Sequence, residues 1–388
     1  MPSPRLSQAP SSTTTPRTRT VGRHLARGFV LLVLLVALAA CTTAPPPPPP
    51  PDQDDIVLLV ANYSDNRVEV MGAETDAADL VARPAESFVD TGAASSVHAV
   101  WGPDDRIYVS DFALNQIRVY DADAVLGSAA PATIAVITSP DLLEPYAMAF
   151  DAAGDLWVSD LMGSRPGGGD AKPNRIVKLT GVAGAVGNTA LNAAVVVSLD
   201  TVSPTFTSTW LASLYFDEQG DLWFADTWDW AVSRIGNPAA LAGTVTGLEP
   251  EFRLQSVNAG NADLSDIRNP VGRAVDASGN LFVGNRGRDR VARFDGAASL
   301  GGDYIGSARP ADATLTVGLL NTTLVALAPD GALWVAASGP TDFAQLVRVT
   351  GQANGSGQVD LTPSKQFNWS AVNTNAFHEA GGMLFHTR

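Results

Sequence analysis

The chain has 388 residues, a formal net charge of −15 and 45% apolar residues, enough to bury one large core or two ordinary ones. Forty acidic against 25 basic residues argue against a nucleic-acid partner and against adhesion to anionic lipid by charge. A single cysteine rules out an internal disulfide, and there is no phosphate-cradling glycine loop, zinc-type Cys/His cluster or Gly-x-Ser-x-Gly elbow.

In chain order, residues 1–40 carry five arginines and no acid, and end in an apolar run from Phe29 to Ala40. That run is shorter than the roughly 20 residues a spanning helix needs. A basic leader, a short apolar stretch and small residues before a cut site read as an export signal. Leu38-Ala39-Ala40-Cys41 resembles the lipobox of bacterial lipoproteins, and Cys41 is the lone cysteine. The resemblance implies that Cys41 takes a diacylglyceryl group and becomes the mature N-terminus. The body would then be extracytoplasmic, with the cell membrane or the outer membrane as its partner through the lipid. An ordinary signal peptide or a single anchor helix is the competing reading. Residues 41–55 form a spacer with seven consecutive prolines, Pro45–Pro51, which favour polyproline II at about 3.1 Å per residue. Loss of residues 1–40 removes only basic charge and leaves a formal −20.

From residue 56 to 388 the chain repeats itself. Met148–Asp160 (MAFDAAGDLWVSD) has near copies at Leu214–Asp226 and Arg273–Asn285. Looser copies run from His98 to Asp111 and from Val325 to Ala337, and Ile56–Asn62 copies the second half alone. Each copy is two apolar β-type runs joined by Asp-x-x-Gly or a variant, a hairpin signature. A third strand follows at Arg67–Met71, Ile117–Tyr120, Arg175–Leu179, Val232–Ile235, Arg290–Phe294 and Leu346–Val349. The second strands end at Asn62, Asp111, Asp160, Asp226, Asn285 and Ala337, spaced by 49, 49, 66, 59 and 52. Such a period predicts an all-β six-bladed β-propeller of four-stranded antiparallel blades, with strands A to D running outward. The first unit lacks its strand A. The tail Ala376–Gly382 looks like a worn copy of it, so the tail is expected to close the ring beside Ile56–Val60. The alternative is seven blades, the last built from Met383–Thr387.

The Phe-Asp-x-x-Gly-Asp-Leu-Trp-Val-Ser-Asp pattern resembles the blades of NHL-type propellers, the broad group of the SMP-30/gluconolactonase-like and streptogramin-lyase-like proteins. The resemblance covers nearly all of residues 56–388. It implies the fold, and a choice among metal-dependent lactonase, lyase and binding module. In the lactonase-like members a divalent cation such as calcium sits on the axis. Candidate ligands here are Glu144, Asn269 and Asn321, with Asp266. The lyase-like members depend on a histidine, and the body offers His98, His378 and His386.

In such blades the A–B and C–D turns share one face, and the B–C and D–A connections the other. The A–B turns are short and the elaborated connections mostly lie on the second face, where a site near the axis is expected. Trp228 and Trp230, with Trp210, offer aromatic surface for a flat ligand or for packing on a neighbouring blade. Arg268, Arg286 and Arg288 offer charged hydrogen bonds to an acidic ligand, or line a solvated loop. His98 and Glu144 begin inner strands of adjacent blades. Leu161–Asn174 is a Gly/Pro-rich insertion open to reading as a flap. Asp111, Asp160 and Asp226 recur at one place in each blade, which marks a structural task.

Two functional readings follow. The first is a cell-envelope binding lipoprotein whose axial face holds a small molecule, a glycan or a protein partner. The alternative is a metal-dependent hydrolase, lactonase-like, or a lyase. Carboxylate or amide groups converging on the axis separate the two.

Overall fold

The computed structural model describes residues 56–62, 67–72, 87–90, 96–127, 131–161, 174–199, 210–227, 229–256, 267–305, 309–316, 318, 322–328, 331–338, 344–349, 355–360, 365–368 and 380–387. The leader with Cys41, the spacer, residues 162–173 of the insertion, Trp228, Asp266, Asn321 and His378 lie outside them. These residues build six sheets, whose inner strands pack against one another in cyclic order around one axis. From the axis outward the second sheet holds Ser96–Trp101, Arg106–Asp111, Gln116–Asp121 and Thr133–Thr138 as strands A to D. The inner strands of the next four sheets are Pro145–Phe150, Leu211–Phe216, Pro270–Val275 and Thr322–Leu327. Apolar side chains fill the gaps between consecutive sheets. One buried cluster joins Trp157, Ile176 and Val197 to Leu211, Leu222 and Phe224 across the third and fourth sheets.

Two expectations about the blades are corrected. Four of the sheets have five strands, so the blades are neither uniformly four-stranded nor wholly antiparallel. The extra strands are Gly187–Ala190, Gly243–Thr246, Gly302–Ile305 and Gly357–Asp360, each paired in parallel with a preceding sheet's strand D. Each belongs to the C–D connection of the following unit. An outer strand left alone presents unpaired backbone groups, and the neighbour's connection covers that edge. Gly187, Gly243, Gly302 and Gly357 open these strands with φ between 61° and 94°, a conformation that costs glycine little. Arginines hold the connections: Arg106 donates to the Ala185 carbonyl at 2.8 Å and Arg293 to that of Gly355 at 2.8 Å.

The second correction concerns closure. No seventh sheet occurs among the described residues. The strand beside Ile56–Asn62 is Ala380–Thr387, with Leu59 opposite Leu384. The tail therefore supplies strand A of the first sheet, about four residues beyond the copy at Ala376–Gly382 read from the sequence. Its pairing with the N-terminal strand ties the two ends of the ring together.

The repeated motif explains itself residue by residue. The turn aspartate Asp217 accepts from the N–H groups of Gln219 and Asp221 at 3.0 and 2.9 Å, and from the Trp223 indole at 2.7 Å. Asp151 does the same for Ala153, Asp155 and Trp157. The tryptophan is buried between sheets with its N–H satisfied, so a large apolar area is gained without a desolvation cost. The serine of Val-Ser-Asp serves a bulge. Inner strands lose register after their first pairs, at Ser96/His98, Pro145/Met148, Leu211/Ser213 and Pro270/Arg273. Ser110 Oγ accepts from the His98 N–H at 3.0 Å and donates to Tyr146 O of the next sheet at 2.7 Å. Ser159 accepts from Ala147 and donates to Leu211 O.

The motif's aspartates are structural as well. Asp111 accepts from the Leu114 N–H, capping the turn after strand B. Asp160 takes the Leu143 and Glu144 N–H groups of the D–A connection and an ion pair from Arg175 at 2.5 Å. Asp217→Ala should lower the unfolding free energy by about 3 kcal/mol through the orphaned donors. Asp217→Asn, which keeps an acceptor oxygen, should cost less. Urea denaturation of the two variants checks the order.

Candidate functional site

A cavity of about 240 Å³ lies among the inner strands. Its lining includes His98, Met148, Phe150, Ser213, Tyr215, Phe216, Arg273, Val325 and Met383, drawn from all six inner strands. These residues occupy the middle of the strands and their A–B-turn ends. The cavity is thus set away from the B–C and D–A connections, where the aromatic and basic loops had placed a site.

The bulges position its polar groups. A bulge re-aims the side chains that follow it, and His98, Ser213 and Arg273 each stand where pairing resumes. His98 is 8% exposed and its Nδ1 has no hydrogen-bond partner. Burial, with the Arg273 charge second, drives the His98 pKa down to about 3, so the imidazole is neutral at pH 7. Arg273 is 5% exposed. One terminal nitrogen donates to Trp223 O at 2.6 Å, the guanidinium lies 6.0 Å from the Tyr215 ring, and Nε has no partner. Burial lowers the Arg273 pKa to about 9, and the group stays charged at pH 7. Ser213 donates to Val271 O at 2.6 Å, and the Tyr215 hydroxyl to Val275 O at 3.4 Å.

No aspartate, glutamate, asparagine or glutamine among the described residues lines this cavity. Among the described residues, no group of three or more His, Cys, Asp and Glu side chains is arranged to hold a metal ion. A buried guanidinium beside neutral donors does not fit a divalent cation, which takes several oxygen ligands of negative character. Glu144 and Asn269 each precede an inner strand, of the third and fifth sheets, and neither lines the cavity. Glu144 donates its N–H to Asp160 and accepts from the Leu161 N–H. His98 and Glu144 are therefore not brought together in the cavity.

The remaining candidates lie on the face of the B–C and D–A connections. Trp210 is half-buried and meets Tyr146 edge-on at 5.7 Å. Trp230, at φ 49°, lies under the Arg268 guanidinium at 5.4 Å. The Arg268 stem crosses Gly287 so closely that a Cβ there would sit 2.6 Å from Cγ, which accounts for the glycine between Arg286 and Arg288. Arg286 donates its N–H to Asn269 O, and Arg288 to Asn285 O. Asp229, half-buried next to Trp230, pairs with Arg253 at 2.6 Å, and its pKa is raised because desolvation outweighs that pairing. The structure thus joins Trp230 to Arg268, and sets both apart from His98.

Sequence reading passed over Arg273, Ser213 and Tyr215. Aligned on the turn, Arg273 shares a column with Ala99, Met148, Leu214 and Val325. One cation in an otherwise apolar column was the available signal.

No protein family matches this chain by sequence, and no curated protein does. Solved structures match in fold. A protein of unknown function from Bacteroides caccae is 12% identical, with 85% of this chain and 98% of that one covered at a TM-score of 0.51. A streptogramin B lyase is 13% identical over 84% of this chain and 91% of its own, at a TM-score of 0.45. A calcium-binding regucalcin from Agrobacterium tumefaciens is 15% identical over 75% and 81%, at 0.47. At these identities the likeness is one of fold, that of a β-propeller.

The neutral His98 makes a pH signature. Its folded pKa lies below the unfolded value of 6.5, so its contribution to stability is complete above pH 6.5 and is lost as pH falls toward 3. Between pH 7 and pH 5 this amounts to about 2 kcal/mol. His98→Asn should flatten the drop in urea stability over that window, relative to wild type.

Proposed function

We propose that this chain is an exported lipoprotein, held to a membrane by a diacylglyceryl group on Cys41, whose propeller takes up a small molecule on its axis. The observation that carries the binding reading is the cavity: lined by six inner strands, mostly apolar, with two buried polar side chains that each carry one nitrogen without a protein partner. Unsatisfied buried donors cost about 1–3 kcal/mol each, a cost a ligand's acceptors relieve. The small molecule is favoured over a glycan or protein because the cavity lies between strands, while the Trp230–Arg268 pair on the loop face satisfies itself. The lipid anchor rests on the Leu38–Cys41 tetrapeptide and the uniqueness of Cys41. No helix among the described residues is long and apolar enough to cross a membrane.

The anchor is tested by growing cells with an alkyne-bearing palmitate. The wild-type chain should take up label and sediment with membranes, and Cys41→Ala should do neither. Label on the alanine variant would refute it. The binding reading is tested by melting the protein against a panel of sugars, lactones, acids and neutral amides, with EDTA and with calcium, magnesium or manganese. A ligand at 100 times its Kd should stabilise by about 2.7 kcal/mol, and Ala149→Leu, which narrows the cavity, should abolish the gain. The cations alone should leave the melting temperature unchanged. A rise with one cation and with no organic molecule would replace this reading by the metal-dependent one.

A further inference from the structure

The cavity's electrostatics narrow the ligand to a chemical class. Arg118, Arg175, Arg234, Arg253 and Arg293 each lie within 4 Å of a carboxylate. Arg273 is about as buried as the deepest of them, in a chain with 40 acidic residues, yet among the described residues no carboxylate pairs with it. Among the described residues its only hydrogen-bond acceptor is the Trp223 carbonyl. A buried unpaired charge costs several kcal/mol, so folding alone gives no reason to keep an arginine in a column of alanine, methionine, leucine and valine. His98, whose imidazole feels the Arg273 charge, lines the same cavity and has a buried Nδ1 without a partner. Beside Ser213 and Tyr215, apolar walls include Met148, Phe150, Leu214, Phe216, Val325 and Met383, and no second arginine or lysine lines the cavity among the described residues.

Resting on the reading of the cavity as a small-molecule site, we propose that its ligand is a small organic monoacid. The carboxylate pairs with the Arg273 guanidinium and accepts a hydrogen bond from His98, and the apolar body lies against the aliphatic and aromatic walls. A guanidinium presents two parallel donors to a carboxylate, and such charge-assisted bonds are the strong ones. One buried cation matches one negative charge, and a dianion would bring in a charge the cavity leaves uncompensated. The volume of about 240 Å³ suits an acid of roughly ten non-hydrogen atoms, near the lower end of ligand pockets.

The test is calorimetric titration of the detergent-solubilised full chain with benzoate, phenylacetate and 4-methylpentanoate. Each is compared with its neutral amide, and inorganic phosphate is titrated separately. At least one acid should bind roughly tenfold or more tightly than its amide. Arg273→Gln should bring that pair within about twofold, while the ligand-free protein melts at or above the wild-type temperature. Should that variant fail to fold, the acid–amide comparison on the wild type decides alone. Amides that bind as tightly as the acids would overturn the monoacid and leave the small-molecule reading standing. Binding of phosphate alone, or of none of these probes, would also overturn the monoacid. In that last case the broader melting panel decides separately whether any small molecule enters.

Discussion

The bulge near the start of the inner strands is the constraint on which both ring and cavity rest. An inner strand must lie along the axis while its sheet twists outward, and an extra residue allows that bend. The bulge frees a backbone N–H in a place water does not reach, so it needs a built-in acceptor. Ser110 and Ser159 provide one, and their own hydrogens reach carbonyls of the next sheet. In the fourth sheet Ala225 takes the serine's place, and Ser213 on the inner strand makes the link to Val271 instead. In the second and third sheets one hydroxyl thus satisfies the bend and fixes the neighbour, and in the fourth Ser213 fixes the neighbour. The residues that follow the bulges, His98, Ser213 and Arg273, then line the axial cavity together.

How much of this was legible depended on the kind of signal. The repeat, the Asp-x-x-Gly turn and the closing tail rest on apolar runs and glycine, which are visible without coordinates, and the structure contains all three. The fifth strands were missed because they have no apolar run. Gly187–Ala190 and its three counterparts are four residues long and mostly exposed. Their signal was a spacing of six, from Gly181 to Gly187, Asn237 to Gly243, Gly296 to Gly302 and Gly351 to Gly357. The structure shows Gly181, Asn237 and Gly296 also at positive φ. These are turn residues of the C–D connection, the part of the repeat least constrained in hydropathy.

The sequence drew attention to the loop face for a related reason. Tryptophans and arginines in loops attract a functional reading, and Trp230, Arg268 and Arg253 are such residues. In the structure they answer one another: cation over ring, and carboxylate against guanidinium. A polar group that already has its partner has little left for a ligand. His98 is visible in sequence as one of few histidines, whereas Arg273 is inconspicuous in an apolar strand; there His98 Nδ1 and Arg273 Nε have no partner. The informative quantity was the departure of one residue from its column, which becomes readable only after the repeats are aligned.

The charge distribution gives the axial arginine a further role. The surface is acidic, with a formal charge of −15 for the whole chain and −20 without residues 1–40, while the charge at the axial cavity is positive. Long-range repulsion grows with the ligand's charge, so phosphates and dicarboxylates are held off more strongly than a monoanion. Salt screens that outer field over about 10 Å at 0.1 M and acts much less on a pair sealed in the cavity. Selectivity then comes from two terms of opposite sign: an acidic exterior that weighs against multivalent anions, and one interior guanidinium that rewards a single negative charge. Neutral molecules pass the first term and gain nothing from the second. The same buried charge that makes the empty propeller less stable is what lets it discriminate.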